Sequence, residues 1–165
     1  MKRVYALESK CLNCRLCEVA CTTAHSKTGD TYKAFMFEEN PRPSAIHVEG
    51  DNYLSIAINC RQCKDPACVS GCIAGALSKD EETGIIVCDS NKCVGCRTCM
   101  VQCPFGAIKV ERVAVKCDLC TTGWGNGEPA CVKACINNAL VYVDIEDEQN
   151  APCKECDAAA QIGGK

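Results

Sequence analysis

Cysteines are the residues of this chain whose type and spacing could do chemistry. The sequence has 165 residues and nineteen cysteines, sixteen of which fall into four groups of four. In chain order these motifs are Cys11, Cys14, Cys17 and Cys21; Cys60, Cys63, Cys68 and Cys72; Cys93, Cys96, Cys99 and Cys103; and Cys117, Cys120, Cys131 and Cys135. Motifs one and three read C-x2-C-x2-C-x3-C, motif two has a longer middle step, and motif four carries a loop there.

This spacing is typical of iron–sulfur ligands. A thiolate at every third position lets one tight turn place three sulfurs on three iron corners of a cubane. The fourth cysteine points away and binds the other cluster of a pair. Four motifs therefore predict four [4Fe–4S] clusters in two pairs, bound by all sixteen cysteines, and an electron-transfer role.

Disulfides and zinc are the other uses of so many cysteines. A disulfide-rich secreted domain is disfavoured because the cysteine count is odd, the spacing is periodic and no apolar signal segment follows Met1. Zinc is the stronger alternative, since paired C-x2-C units make good tetrahedral sites. Zinc does not need a third cysteine at the next three-residue step, however, and most of these motifs supply one.

The elements that must position the thiols can be predicted from the residues around each motif. A turn and a short apolar stretch follow motifs two, three and four, which predicts strands at residues 85–87, 108–110 and 140–143. Residues 44–49 and 53–58 alternate enough to form an outer hairpin, and residues 25–43 have the composition of a surface segment. With a short helix at each third-to-fourth cysteine step, these elements predict the bacterial two-cluster ferredoxin fold.

The distances between motifs predict how the motifs pair. Twenty residues separate Cys72 from Cys93, 38 separate Cys21 from Cys60, and 13 separate Cys103 from Cys117. We therefore predict an α+β fold of two dicluster-ferredoxin-like units, with motifs two and three in an inner unit nested within an outer unit of motifs one and four. The outer unit comprises residues 1–58 and 110–145, the inner unit residues 59–109, and an acidic, glycine-containing tail residues 146–165.

Nested pairing assigns each cluster three cysteines of one motif and the last cysteine of its partner motif. The four predicted ligand sets, named sets A to D, are Cys11, Cys14, Cys17 and Cys135 (A); Cys117, Cys120, Cys131 and Cys21 (B); Cys60, Cys63, Cys68 and Cys103 (C); and Cys93, Cys96, Cys99 and Cys72 (D). Sequential pairing of motif one with two and of three with four is the alternative.

Charge and composition restrict the partners. The formal charge is −3, and four cubanes at about −2 each would bring the loaded protein to about −11, which disfavours nucleic acid. The apolar stretches are too short to span a bilayer, so we expect a cytoplasmic protein that does not insert into a membrane. Aromatic residues make up only 5% of the chain, so the clusters should supply much of the interior and metal binding should be coupled to folding.

The four-motif plan resembles the electron-transfer subunits of modular redox enzymes such as dimethyl sulfoxide reductase, formate dehydrogenase and hydrogenase-linked formate systems. The resemblance covers about residues 10–143 and implies pairing of motif one with four and two with three. In detail the chain looks like the iron–sulfur partner of nickel carbon monoxide dehydrogenase, through KRVYA at residues 2–6, CRLCEV at 14–19, AHSK at 24–27 and KAF at 33–35. One departure is that only Cys103 is followed by proline.

This resemblance implies an electron-transfer subunit with a catalytic redox subunit and a second donor or acceptor protein as partners. Carbon monoxide dehydrogenase is the favoured partner; a tungsten or molybdenum aldehyde or formate oxidoreductase, or a hydrogenase, is the alternative. A scaffold that polymerises through its tail is a different class of function. An enzyme in its own right would need an open coordination site, which four complete motifs disfavour.

Several other residues have two interpretations each. Cys88 is predicted to be a small buried residue at a strand end, whereas Cys153 and Cys156 are either free thiols or half of an extra metal site. Trp124 either covers a cluster edge or anchors a partner. Two histidines, His25 and His47, are expected at the surface. The basic residues next to ligands are expected in solvent, where they would raise cluster potentials; they are Arg15, Arg61, Lys64, Arg97 and Lys116.

Overall fold

Each cysteine motif is a loop that leads into a short helix, as the spacing predicts. This computed structural model describes residues 2–51 and 53–144. The helices in this part of the chain are α1 (Leu16–Ala24), α2 (Thr31–Met36), α3 (Ala67–Ser70), α4 (Thr98–Gln102) and α5 (Ala130–Lys133). Helices α1, α3, α4 and α5 each bury the third cysteine of one motif; these cysteines are Cys17, Cys68, Cys99 and Cys131.

Short antiparallel ribbons connect and flank these loops. The strands are β1 (Lys2–Ala6), β2 (Ile46–Gly50), β3 (Ser55–Asn59), β4 (Leu77–Lys79), β5 (Ile86–Cys88), β6 (Lys109–Val110), β7 (Ala114–Val115) and β8 (Leu140–Asp144). They pair as β1 with β8, β2 with β3, β4 with β5 and β6 with β7. The predicted strands correspond to β5, β6 and β8, and the predicted outer hairpin is β2–β3, so these predictions are confirmed to within one or two residues.

Ribbon β1–β8 brings together the two ends of the described chain. Its register runs from Lys2 opposite Asp144 to Ala6 opposite Leu140. Helix α1 of motif one packs against α5 of motif four, and α3 of motif two packs against α4 of motif three. Motif one therefore lies beside motif four, and motif two beside motif three.

The aliphatic core is small and divided into two parts. One part contains Val4, Ile46, Val48, Leu119 and Leu140 together with cysteines of motifs one and four. The other contains Leu77, Ile86 and Ile108 together with cysteines of motifs two and three. Cysteines are thus a substantial share of the interior, as the low aromatic content led us to expect.

Residues 25–43 contain a helix that their polar composition did not predict. Helix α2 begins after Asp30, whose carboxylate accepts a hydrogen bond from the backbone N–H of Lys33 at 2.8 Å and so caps the helix. Ala34 is fully buried, although most of this segment is exposed, as expected. Within the described residues, none of the helices is both long and apolar enough to cross a membrane.

Candidate iron–sulfur sites

A left-handed residue before the second cysteine is common to all four motifs. These residues are Asn13, Gln62, Gly95 and Leu119, with φ between 49° and 69°. This conformation costs a non-glycine residue about 1–2 kcal/mol. Because Gln62 and Leu119 both adopt it, the structure around each motif must stabilise the turn by more than that cost. In motifs one and three, the first two cysteines on either side of this residue line the same cavity.

Set A surrounds a cavity. Its four cysteines all line this cavity, whose wall is otherwise mostly apolar. Burial, together with the neighbouring charge of Glu18 and of the Cys14 and Cys135 thiols, raises the pKa of the Cys17 thiol to about 11. The structure therefore brings the last cysteine of motif four to the first three cysteines of motif one.

Set D has the same arrangement at another place in the fold. Its four cysteines line a cavity, with Ala74, Leu77 and Val94 among the apolar residues of the wall. Burial raises the pKa of the Cys99 thiol, and the thiols of the other three members of the set act in the same direction. Here the last cysteine of motif two lies with the first three of motif three.

Sets B and C are recognised by the mutual influence of their thiols. Burial raises the pKa of Cys131, and the thiols of the other three cysteines of set B raise it further. Burial likewise raises the pKa of Cys68, and the thiols of the other three cysteines of set C raise it further, whereas the positive charge of Lys116 lowers it. Cys131 and Cys68 therefore each lie near the other members of their own set.

Backbone N–H groups are directed at the sulfurs. Six amide groups in the described chain donate to a motif cysteine Sγ at 3.1 to 3.4 Å. The donor and acceptor pairs are Ala45 and Cys21, Gln62 and Cys60, Ala76 and Cys72, Ala114 and Cys93, Leu119 and Cys117, and Ala139 and Cys135. Such bonds stabilise thiolate sulfur and tune cluster potential.

These observations fit an iron–sulfur cluster. The structure supplies sulfur ligands, N–H donors to the sulfurs, and mostly apolar walls that limit access of water. Within the described residues, no group of three or more His, Cys, Asp or Glu side chains is arranged to hold a single metal ion. The seventeen cysteines in this part of the chain are free thiols, so no disulfide joins any two of them.

Comparison with known proteins agrees with this chemistry. The 4Fe-4S dicluster domain family matches residues 52–145, which is more than half of the chain. The chain belongs to this family. The family's name supports the prediction of ferredoxin-like units that bind iron–sulfur clusters.

Three relatives of this dicluster family member span most of its length. The putative electron transport protein YsaA of Escherichia coli K12 is 38% identical, covering 88% of this chain and 92% of its own. The electron transport protein HydN of the same strain is 36% identical, covering 86% and 87%. The NADH-dependent phenylglyoxylate dehydrogenase subunit beta of Aromatoleum evansii is 37% identical, covering 86% of this chain and 30% of its own. The chain is therefore a member of a 4Fe-4S electron-transfer subunit family.

The side chain of His25 is only 4% exposed, so its expected place at the surface is wrong. Its Nε2 lies 3.0 Å from Oδ1 of Asp118, and its Nδ1 lies 2.9 Å from the Cys21 carbonyl oxygen. Burial disfavours the charged imidazole, but hydrogen bonds to Asp118 and Cys21 outweigh it and raise the pKa of His25 to about 10. Burial opposes ionisation of Asp118 too, yet bonds from His25 and Thr122 hold its pKa well below the ordinary value.

The basic residues next to ligands do not share one environment. Three are exposed as expected: Arg15, Lys64 and Arg97. Arg61 instead lies over the rings of Tyr5 and Phe105, 4.9 and 5.8 Å from their centres. Lys116 is only 2% exposed, so its predicted place in solvent is wrong.

Of the remaining singled-out residues, the structure describes Cys88 and Trp124. Cys88 ends β5 and is partly buried near Cys93, as predicted for a strand end. Trp124 is 61% exposed; its ring contacts the backbone at Gly29 and its Nε1 donates to the Ser26 carbonyl at 3.1 Å. The half-site proposed for Cys153 and Cys156 lies outside the described residues.

Replacing Asp118 by asparagine should destabilise the loaded protein by about 3 kcal/mol, because it leaves a buried histidine charge without its partner. The matched control is Glu128→Gln, which breaks an exposed ion pair with Lys133 and should change nothing measurable. We would measure the denaturant midpoint at which the visible cluster absorption is lost.

The effect of Asp118→Asn should also depend on pH. The contribution of charged His25 to stability is complete below pH 6.5 and declines as pH rises through about 10, so the difference in midpoint between Asp118→Asn and the wild type should shrink at high pH. Equal midpoints for both variants at pH 6 would contradict this account.

Proposed function

We propose that this electron-transport iron–sulfur protein carries four [4Fe–4S] clusters, one in each of sets A to D, and relays electrons between a catalytic redox subunit and a second redox partner. The observation that supports this most directly is that each set combines three cysteines of one motif with the last cysteine of another. When bound, the clusters supply one-electron chemistry. The chain supplies the thiol ligands, the N–H donors to sulfur and the apolar walls.

Nested units are part of this proposal. The pairing of β1 with β8 and the packing of α1 against α5 support an outer unit of residues 1–58 and 110–145. The packing of α3 against α4 and the separate core around Ile86 support an inner unit of residues 59–109. Sequential pairing would put the last cysteine of motif four with motif three, whereas Cys135 lines the same cavity as Cys11, Cys14 and Cys17.

Neighbouring thiols and helix packing support a linear order from A through B and C to D. The charge of Cys17 in set A acts on Cys131 of set B, and the charge of Cys60 in set C acts on Cys117 of set B. The step from C to D is supported by the packing of α3, which carries Cys68, against α4, which carries Cys99. Among the sixteen motif cysteines, the two that are exposed are Cys14 in set A and Cys96 in set D. Electrons would therefore enter and leave at the two ends of the series.

Exposed apolar side chains beside both end sets support contact with partner proteins there. Leu12 and Ile136 line the cavity of set A and are 60% and 68% exposed, and Val94 lines that of set D and is 69% exposed. The relative named as a dehydrogenase subunit supports a catalytic subunit as one partner. We favour carbon monoxide dehydrogenase from the sequence resemblance, and we place the complex in the cytoplasm.

Anaerobic native mass spectrometry of the complex taken from its own host tests this function. The expected mass is that of the chain plus four [4Fe–4S] clusters, or about sixteen iron and sixteen sulfide ions. A bound nickel–iron subunit that oxidises carbon monoxide and not hydrogen would support carbon monoxide dehydrogenase as partner. A molybdenum, tungsten or hydrogenase subunit would keep the electron-transfer function and replace that partner. Fewer clusters, or zinc in their place, would contradict the proposal.

A further inference from the structure

We propose that Lys116, held by Gln62, is a buried positive charge that keeps the two middle cluster sites, B and C, reducible. This inference rests on the proposed four-cluster function and adds a positioning residue to it. Neither residue is a ligand, and both are almost completely buried: Lys116 is 2% exposed and Gln62 is 0% exposed.

All three N–H groups of the Lys116 ammonium donate a hydrogen bond. Its Nζ donates to Oε1 of Gln62 at 3.2 Å, to the Ile86 carbonyl at 2.7 Å and to the Cys117 carbonyl at 2.9 Å. An ammonium group has three N–H donors and no acceptor, so these three oxygens match all of its donors. The acceptors are all neutral oxygens, so these contacts hold the positive charge in place without neutralising it.

Gln62 links this charge to both middle ligand loops. It lies between Cys60 and Cys63 of set C, and its backbone N–H donates to Cys60 Sγ at 3.4 Å. Its side-chain Nε2 donates to the Cys117 carbonyl at 2.7 Å, while its Oε1 accepts from Lys116 and from the Ile86 N–H. Lys116 itself directly precedes Cys117 of set B, so the pair bridges the loops of sets B and C.

The charge lies beside the ligand loops of both middle sets. Lys116 Nζ donates to the carbonyl oxygen of Cys117, a set B cysteine, and to Oε1 of Gln62, whose backbone N–H donates to Cys60 Sγ of set C. The three hydrogen bonds therefore fix one positive charge between the two sites.

The positive charge of Lys116 affects how easily the clusters at sites B and C are reduced. Reduction adds a negative charge to a cluster, and a buried environment disfavours that charge and lowers the potential. Sites B and C lie in the interior, between the end sites with their exposed cysteines. Burial alone would therefore make the clusters at B and C the hardest of the four to reduce. A fixed positive charge in a medium of low dielectric offsets this more effectively than the solvent-exposed Arg15 and Arg97 can for the end sites.

The test is a set of potentials measured on the loaded full-length chain by redox titration followed by electron paramagnetic resonance. Lys116→Met removes the charge, Lys116→Arg keeps it, and Gln62→Glu places a neutralising carboxylate next to it. We expect Lys116→Met and Gln62→Glu to lower the reduction equilibrium constant of two clusters at least tenfold, which is about 59 mV for one electron. Lys116→Arg should stay near the wild type, and the other two clusters should change little.

Lys79→Met is the matched control. Lys79 also donates to a ligand loop of set C, through the Cys63 and Lys64 carbonyls at 3.1 and 2.7 Å, but it is partly exposed. Its removal should shift the potentials less, and high salt should abolish that shift while leaving the Lys116 effect in place.

Two results would overturn the proposal. One is a fully loaded Lys116→Met or Gln62→Glu variant with unchanged potentials. The other is loss of clusters in both variants, which would assign Lys116 a structural role only. If Lys116→Met fails to bind its clusters but Gln62→Glu binds them, the potentials of Gln62→Glu decide the proposal. Failure of the four-cluster function itself would already appear as a low iron content of the wild-type chain, before any variant is compared.

Discussion

Removing the iron should unfold most of this protein. The aliphatic core is small and divided, and the fourteen motif cysteines that are buried or partly buried occupy much of the remaining interior. Structural metal binding contributes about 10–16 kcal/mol in small zinc domains, and a whole domain is stable by only about 5–15 kcal/mol. Ribbons of two strands are marginal by themselves, so the strands here have little to hold them once the ligand loops are released.

Far-ultraviolet circular dichroism under anaerobic conditions measures this effect. After iron is removed with a chelator, we expect loss of most of the helical signal and rapid proteolysis within the ligand loops. Returning iron and sulfide should restore both the spectrum and the protease resistance, which separates reversible unfolding from damage. A spectrum that does not change on iron removal would show that the polypeptide folds without its clusters.

The chemistry of the sites could be predicted because it is encoded locally. Thiols at every third residue fit a cubane wherever the loop lies in the fold. Five of the eight described strands were predicted for a similar reason, since short apolar stretches bounded by turns identify them, whereas β1, β4 and β7 were missed. Helix α2 was missed because it has only six residues and lies in an otherwise polar segment that ends in prolines, although Asp30 three residues before Lys33 was an available capping signal.

The buried polar residues could not be predicted, since their partners lie far away in sequence. Gln62 meets Lys116 across 54 positions, and His25 meets Asp118 across 93. A lysine or histidine beside a ligand cysteine is usually solvated, and no periodicity in the sequence marks these as exceptions. Their burial depends on how the ligand loops pack, and spacing within one motif carries no information about that.

Double substitutions should reveal which motifs share a cluster. Under nested pairing, Cys14 and Cys135 bind the same cluster, so Cys14→Ala with Cys135→Ala should cost no more iron than either change alone. Each of these three variants should keep about twelve of sixteen iron ions. The iron losses caused by two substitutions in the same site cannot add, whereas the losses caused by substitutions in independent sites do.

Cys14→Ala with Cys72→Ala is the matched comparison. Nested pairing puts these residues in sets A and D, so the double variant should lose two clusters and keep about eight iron ions. Sequential pairing reverses both results, since it puts Cys72 with motif one and Cys135 with motif three. Cys88→Ser, which alters a cysteine outside the motifs, should keep all sixteen.

Iron and sulfide analysis of the anaerobically purified variants decides between the two pairings, and electron paramagnetic resonance distinguishes complete from partial cluster loss. The cavity shared by Cys135 and the first three cysteines of motif one is the reason to expect the nested result. Because the same cavity holds an exposed cysteine, loss of set A should also remove one end of the electron path. We therefore expect the Cys14→Ala variant to keep three clusters and yet fail to exchange electrons with the partner that docks there.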